Sequence, residues 1–204
     1  MRPPLFGALG PTTAQVAAAA TGLGVWSAVT ARRGTVSPRE RHVFRAVNSR
    51  PDVLHPALWP VMQMGSLGAV FVAAGIRQRH DRAGRDAVLV AVAGTAVWAG
   101  VKLVKPVVGR GRPAACLDDV RVRGAEQRGL GYPSGHAAVA LTLAMLAPWS
   151  RRMQGPALAA AAITGVSRIF VGAHLPLDVV GGWAIGFVIG SAVRSVAHPL
   201  TASD

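Results

Sequence analysis

The chain has little charge, and acidic residues are especially scarce. Only 15% of its 204 residues are Asp, Glu, Lys or Arg, whereas an ordinary soluble domain has about 25%. Hydrophobic residues make up 51%, and a single cysteine, Cys116, excludes an internal disulfide. These shortages exclude a typical soluble globular protein. They predict one membrane-embedded domain over residues 1–204.

Six uncharged runs reach membrane-spanning length when snorkelling charges are allowed at their ends, since roughly twenty apolar residues cross a bilayer as a helix. The predicted transmembrane helices cover about 12–31, 53–76, 86–105, 134–150, 154–173 and 177–197. The runs are too long for strands and lack their alternation, and their many small residues permit close helix packing. We therefore expect an all-α polytopic bundle in the cell membrane. A cleaved signal peptide is the alternative for the first run, but its only positive flank is Arg2 and it is long for such a segment.

The segment over residues 34–52 is too polar to span a membrane. Apolar residues lie on one side of a helical turn with arginines around them: Val43, Phe44 and Val47, and Arg41, Arg45 and Arg50. This pattern predicts a short amphipathic helix in the membrane interface. No chemistry is expected of it.

The net charge of +13 raises the question of a nucleic-acid partner. The basic residues, however, fall in the gaps between the predicted spans, and no separate basic domain is available to hold a duplex. Contact with anionic lipid headgroups explains them better. Lys102, Arg110, Arg151 and Arg152 are most simply interfacial residues that snorkel or set orientation.

Polar residues gather at the ends of particular spans. The three clusters are Lys105, Arg110 and Arg112 in "KLVKPVVGRGRP"; Ser134, Gly135 and His136 in "YPSGH"; and Arg168, His174 and Asp178 in "SRIFVGAHLPLD". With six alternating spans, all three share one membrane face. Because polar groups in a membrane bundle usually face its interior or a wet cavity, we expect them to converge on one pocket.

The cations and the helix start in these clusters suit a phosphate. Lys105, Arg112 and Arg168 would balance a dianionic group, and Lys105 is one of only two lysines in the chain. The backbone N–H groups of Gly135 and His136 would point out of the fourth span, as at other anion-binding helix starts. Ser134 by itself could be only an N-cap.

The histidines suit nucleophilic and acid–base chemistry. His174 and Asp178 have i, i+4 spacing, and a carboxylate that fixes the tautomer of a histidine makes it a plausible nucleophile. Pro176 predicts that the last helix starts there, with His174 just before it. His136 would then serve as general acid and later as base. A lone histidine at a helix end is more often only a hydrogen-bonded interfacial residue, but the joint pattern favours a catalytic site.

The motifs and their order resemble those of a known family. The matching residues are Lys105, Arg112 and Pro113 for K-x(6)-R-P, 133–136 for P-S-G-H, and Ser167, Arg168, His174 and Asp178 for S-R-x(5)-H-x(3)-D. The chain resembles the type-2 phosphatidic acid phosphatase superfamily, which includes membrane lipid phosphatases and vanadium haloperoxidases. The resemblance covers residues 105–178 and departs from no signature position.

The resemblance implies a mechanism. His174 would attack phosphorus and form a phosphohistidine while Asp178 orients its ring, and His136 would protonate the leaving group and then activate water. The phosphoryl oxygens would be held by Lys105, Arg112, Ser134, Gly135 and Arg168. No metal or other cofactor is expected, and one isolated carboxylate beside two histidines is a poor divalent-cation site.

The expected function is hydrolysis of a phosphomonoester or diphosphate on a lipid or polyprenyl carrier. A lipid phosphotransferase is the first alternative. A non-enzymatic anion- or lipid-binding membrane protein is the second, and it leaves the histidine pattern unexplained. Vanadium haloperoxidases are soluble, so six spans argue against one here. The charged loop over 107–132 is long for a compact bundle, which predicts that it gates the site or reads a headgroup.

Two features of the sequence disagree about which side of the membrane carries the site. Basic residues are more numerous on the face that carries the site, which favours a cytoplasmic site. The family resemblance implies a site that faces outward. Part of the basic excess lies in the interfacial segment over 32–50, so we expect the outer face.

Overall fold

The backbone is helical almost throughout. A computed structural model of the chain describes residues 11–80, 84–125, 127–147 and 150–197. Over these residues no strand forms, and the only β-type pairing is an isolated bridge between Gly111 and Leu130. The predicted all-α fold is confirmed.

The helices follow in chain order. They are α1 (Pro11–Arg32), α2 (Pro38–Asn48), α3 (His55–Gln63), α4 (Leu67–His80), α5 (Arg85–Val108), α6 (Pro113–Cys116), α7 (Gly135–Leu146), α8 (Arg151–Phe170) and α9 (Pro176–Ala197). A 3-10 turn over Asp52–Leu54 leads into α3. A helix or helix pair therefore occupies each of the six predicted segments.

The predicted count of six transmembrane helices is not confirmed. Within the described residues, α1, α5 and α9 are long and apolar enough to cross a membrane. The segment from Asp52 through α3 and the following α4 make at most a fourth span, bent by 59°. α7 is short, with 12 residues, and α8 begins with two arginines. Pro148 and Trp149 of the predicted fourth span lie outside the described residues, as does Arg2.

Small residues bring α7 and α9 into close contact at the centre of the bundle. A Cβ atom at Gly182 would overlap the backbone of Ser134, and one at Gly186 would overlap that of Ala138. α7 also packs on α5 and α8 and is buried along most of its length, as expected of a helix that is apolar on all sides. The expected role of small residues is confirmed, and it fixes the start of α7 against the start of α9.

The break between α3 and α4 lies against the start of α7. A Cβ atom at Gly65 would overlap the backbone of His136, so a side chain there would push the two segments apart. Glycine therefore allows the bend to approach the first turn of α7 closely.

α2 forms where the amphipathic segment was predicted. Ser37 caps it by accepting a hydrogen bond from the Glu40 N–H (3.2 Å), and Pro38 occupies the first turn. The predicted apolar side is only partly correct, because Phe44 is fully buried whereas Val43 is 46% exposed. α2 packs on α8 and α9, so polar residues of its inner face also reach the bundle interior.

Candidate active site

The turn between α8 and α9 places His174 inside the bundle. Gly172 adopts φ +75°, and a side chain there would meet the Arg121 carbonyl at 2.7 Å. The N–H groups of Ala173 and His174 donate to the Arg168 carbonyl at 3.0 and 3.2 Å. These bonds end α8, and α9 begins at Pro176 as predicted.

His174 and Asp178 form the centre of the site. Nδ1 of His174 lies 3.5 Å from Oδ2 of Asp178, and the two residues are 3% and 0% exposed. Oδ2 also accepts the Leu175 N–H at 2.9 Å. Burial lowers the pKa of His174 from 6.5 to about 4; the charges of Arg112 and Arg168 act in the same direction and Asp178 opposes them. The imidazole is therefore neutral near pH 7, as a nucleophile must be.

The start of α7 is tied directly to the start of α9. Ser134 caps α7 by accepting the Ala137 N–H (3.4 Å), and its own N–H donates to the Asp178 carbonyl at 2.8 Å. Gly135 then opens the helix. His136, in the first turn, lies within range of the charges of Arg168 and Arg112 and of His174. The structure thus brings the second and third predicted clusters together.

The predicted cations approach the same point in different ways. Arg112 donates from Nη1 to the carbonyl of Ala173 at 2.8 Å, beside His174. Arg168 is 8% exposed. Within the described ranges its Nη1 donates to the Met62 sulfur alone, at 3.9 Å, and its Nε has no acceptor. A buried guanidinium with few acceptors suits incoming phosphoryl oxygens.

Lys105 is held by the chain that leads into α7. Its ammonium donates to the carbonyls of Leu130, Gly131 and Pro133 at 3.0, 3.1 and 3.2 Å. An ammonium has three protons, so these bonds use its donors and position the residues before Ser134. Its direct contact with phosphate stays a prediction.

Arg110 and Glu40 belong to the site, although the sequence indicated otherwise. Arg110 is 1% exposed; it donates to both carboxylate oxygens of Glu40 at 2.9 and 2.6 Å and to Oδ1 of Asp178 at 3.2 Å. The interpretation of Arg110 as a snorkelling residue is wrong, because α2 covers it and supplies a carboxylate partner. The signal available was Glu40 itself, the only acidic residue before Asp52 in an arginine-rich stretch.

Hydrogen bonds hold the loop over 107–132 against the ends of α2 and α8. Asn48 donates to the carbonyls of Arg121 and Phe170 at 2.9 Å and accepts the Arg121 N–H. Arg123 donates to the carbonyls of Asn48, Arg50 and Phe170. A polar cavity of about 140 Å³ opens beside Arg168 under this loop. Glu126 lies outside the described residues, and the gating role of the loop stays a prediction.

An apolar cavity lies along α7. Ala140, Leu143 and Ala144 follow His136 on one face of that helix and line a cavity of about 220 Å³ between α4, α7 and α8. A second apolar cavity, of about 380 Å³, lies between α1, α5 and α9 and reaches Tyr132. Either lining suits hydrocarbon better than a polar ligand. Within the part of the chain that the structure describes, no group of three or more metal-ligating side chains comes together.

The chain matches known proteins in sequence. The model of the PAP2 superfamily matches residues 85–201. The undecaprenyl-diphosphatase of Sulfolobus acidocaldarius is 41% identical over 59 residues, which are 27% of this chain and 28% of that protein. The undecaprenyl-diphosphatase BcrC of Bacillus subtilis is 39% identical over 61 residues, 29% of this chain and 31% of that protein. The matched stretch thus spans less than a third of each of these relatives.

Two solved structures share the fold. A transmembrane PAP2 type phosphatidylglycerolphosphate phosphatase from Bacillus subtilis superposes with a TM-score of 0.69 at 18% identity, over 87% of this chain and 95% of that one. Aquifex aeolicus LpxE superposes with a TM-score of 0.64 at 25% identity, over 74% of this chain and 92% of that one. These likenesses confirm the membrane-bundle architecture.

Proposed function

Because the chain belongs to the PAP2 superfamily, we propose that it is a membrane phosphatase that hydrolyses a phosphate ester or diphosphate on a lipid or polyprenyl carrier. The observation that carries the proposal is a buried, neutral His174 whose Nδ1 faces Asp178. Its Nε2 is then left for attack on phosphorus. Arg112, Arg168 and the start of α7 lie around it, where phosphoryl oxygens would be bound.

The reaction proceeds in two steps. Nε2 of His174 attacks phosphorus, an N–P bond forms as the P–O bond to the leaving group breaks, and His136 gives a proton to the departing oxygen. In the second step His136 takes a proton from water, which attacks phosphorus and releases phosphate from His174. Asp178 stabilises the positive charge that the His174 ring gains in the first step.

The lipid part of the substrate is supported by the surroundings of the site. The two sequence relatives are named undecaprenyl-diphosphatases, which makes a polyprenyl diphosphate our first candidate substrate. The apolar cavity along α7 begins on the face that carries His136, so a phosphate at His174 would allow its hydrocarbon chain to lie there.

Phosphate release in detergent micelles containing EDTA tests the proposal. The substrates are undecaprenyl diphosphate, a phosphatidic acid and phosphatidylglycerol phosphate. His174→Ala is compared with the wild type and with His42→Ala, a control in an exposed histidine of α2. We expect turnover of at least one substrate by the wild type and the control, and a loss on the order of 10³-fold or more in His174→Ala. Turnover that survives in His174→Ala would exclude it as the nucleophile.

The phosphotransferase alternative is separated from hydrolysis by the products. Competing alcohols are added to the same micelles, and phosphorylated alcohol is measured beside free phosphate. We expect phosphate to remain the main product. A phosphorylated alcohol that dominates would reassign the enzyme as a transferase.

We further propose that the site faces the outside of the cell, as the family resemblance implies. Cys116→Ala removes the native thiol, and a cysteine is then introduced in place of exposed Asp118 on the site side or of exposed Arg79 near the end of α4. Labelling intact cells with a membrane-impermeant maleimide should modify the first protein and spare the second. The reverse pattern would place the site in the cytoplasm, as the basic residues indicate.

A further inference from the structure

We propose that Glu40 and Arg110 are positioning residues that hold the Asp178 carboxylate in register with His174. This inference rests on the proposed role of His174 as nucleophile. It assigns a role in the reaction to α2, a helix that contributes none of the predicted site residues.

Arg110 acts as a buried fork between two carboxylates. Its Nη1 and Nη2 donate to Oε1 and Oε2 of Glu40, and Nη1 also donates to Oδ1 of Asp178. The side chains of Arg110 and Asp178 are fully buried and that of Glu40 is 4% exposed. Such a planar, bidentate pair fixes direction as well as charge.

These contacts leave the Asp178 carboxylate little freedom to rotate. Oδ1 is held by Arg110, and Oδ2 accepts the Leu175 N–H and faces Nδ1 of His174. If Arg110 were absent, Oδ1 would lie buried without this partner, and the carboxylate would gain by turning away from the ring. Among the described residues, Nδ1 of His174 has no other hydrogen-bond partner, so the ring depends on Asp178 for its orientation.

The charges of the group suit the reaction that His174 performs. Two carboxylates and one guanidinium leave one net negative charge beside a neutral imidazole. Attack on phosphorus creates a positive charge on that ring. The ring and the buried group together then carry no net charge. Because charges interact strongly in a buried site, this arrangement favours the transition state over the resting state.

The side chain of Glu40 bonds to distant residues and not to the start of its own helix. A glutamate three residues after a capping serine normally folds back onto the N-cap N–H, and Ser37 and Glu40 have that spacing. Instead, Oε1 of Glu40 accepts the N–H of Leu177 at 3.0 Å, one residue before Asp178. Glu40 thus holds both the guanidinium and the first turn of α9.

The test compares two glutamine variants on one helix. Glu40→Gln removes one charge of the buried group and keeps the size of the side chain. Arg45→Gln is the matched control, since Arg45 of α2 pairs with Asp119 at 2.7 Å in a half-exposed ion pair outside the group. Both are also made in an Asp178→Asn background. Steady-state kinetics on a substrate that the wild type hydrolyses, with His174→Ala as the inactive reference, give kcat and KM, and thermal unfolding reports folding.

We expect Glu40→Gln to lower kcat by roughly 10- to 100-fold with KM changed less than about threefold, and Arg45→Gln to change neither. In the Asp178→Asn background, Glu40→Gln should have almost no further effect, because both act through the same carboxylate. A Glu40→Gln enzyme with normal kcat, with a raised KM alone, or with an effect that multiplies with Asp178→Asn would overturn the proposal. So would a Glu40→Gln chain that fails to fold while Arg45→Gln folds, because the pair would then serve stability.

Failure of the proposed function gives a different result. If His174→Ala remains active, the nucleophile is wrong and the role of Glu40 falls with it. If His174→Ala is inactive and Glu40→Gln is normal, only the positioning role is lost.

Discussion

The bundle holds a buried arginine paired with a carboxylate at each of its two ends. The two pairs differ in how far apart their residues lie in the sequence. Away from the site, Arg77 of α4 pairs with Asp86 of α5, nine positions later. At the site, Arg110 joins Glu40 and Asp178, which are 70 and 68 positions away. The first pair links neighbouring helices. The second forms only when α2, the loop after α5 and α9 have all assembled.

On our proposal, the first pair supports the scaffold and the second supports chemistry. An ion pair between consecutive helices restrains their connection and is remote from the reacting atoms. A pair that requires three distant segments ties the geometry of the site to complete folding. Substitutions at the two ends should therefore change different measurable quantities.

The largest effect is expected at the site end, from His136→Gln. Glutamine keeps a polar side chain of similar size but cannot transfer a proton at neutral pH, so kcat should fall by about 10²- to 10³-fold. The melting temperature should change little. Comparing natural substrates with one that has a good leaving group, such as p-nitrophenyl phosphate, checks the assignment. His136→Gln should slow release of the leaving group less for p-nitrophenyl phosphate than for the natural substrates. An equal reduction in the two rates would count against His136 as general acid.

A smaller effect is expected where α4 lines the cavity between the two ends. Ala73→Trp would narrow the cavity along α7. We expect KM to rise several-fold for a long-chain substrate, because its hydrocarbon loses apolar contact. The KM of a short-chain phosphate should not change. Ala28→Trp, which narrows the cavity near Tyr132, is the comparison. If Ala28→Trp alone raises KM, the hydrocarbon chain lies on the other side of the bundle.

The pH dependence of stability should also distinguish the site end. The folded-state pKa of His174 is about 4, below the ordinary value, so the unfolded chain binds a proton that the folded chain does not. The contribution of this pKa shift to the free energy of unfolding is fully present above about pH 6.5 and is lost as the pH drops toward 4. In His174→Gln this contribution is absent, and its melting temperature should fall by a few degrees less over that interval. Identical slopes for the two proteins would contradict burial of a neutral His174.

The smallest effect on activity is expected at the far end, from Asp86→Asn. Loss of the carboxylate leaves Arg77 without this charged partner, so the melting temperature should fall by a few degrees. The value of kcat at a temperature where the protein is folded should stay within about twofold. A kcat loss similar to that of Glu40→Gln would erase the distinction between the two ends.

The convergence of the three clusters was predictable because their residues lie at the ends of apolar helices. The alternation of spans placed Lys105, Ser134 and His174 on one face, and the structure joins their segments through direct hydrogen bonds. Pro176 correctly marked the start of α9. These predictions succeeded because they depend on helix periodicity and chain direction, both of which are local properties.

Other features could not be predicted in the same way. Hydropathy places Val43 and Phe44 on one apolar side, yet only Phe44 is buried, because the face that α2 turns inward depends on where α8 and α9 lie. The six-span count is not confirmed for a related reason. α7 is enclosed by other helices, so a run of 12 apolar residues is enough to bury it without establishing that it crosses a membrane.

The sequence by itself determined the helices, the order of the three motifs and the residues proposed to bind and attack a phosphate, since these follow from apolar periodicity and side-chain chemistry. Only the tertiary structure decided that Arg110 is enclosed, that Glu40 is its partner and that Arg110 also contacts Asp178. Burial and pairing between residues 70 positions apart depend on packing, because an arginine near a helix end is equally compatible with solvent until another helix covers it.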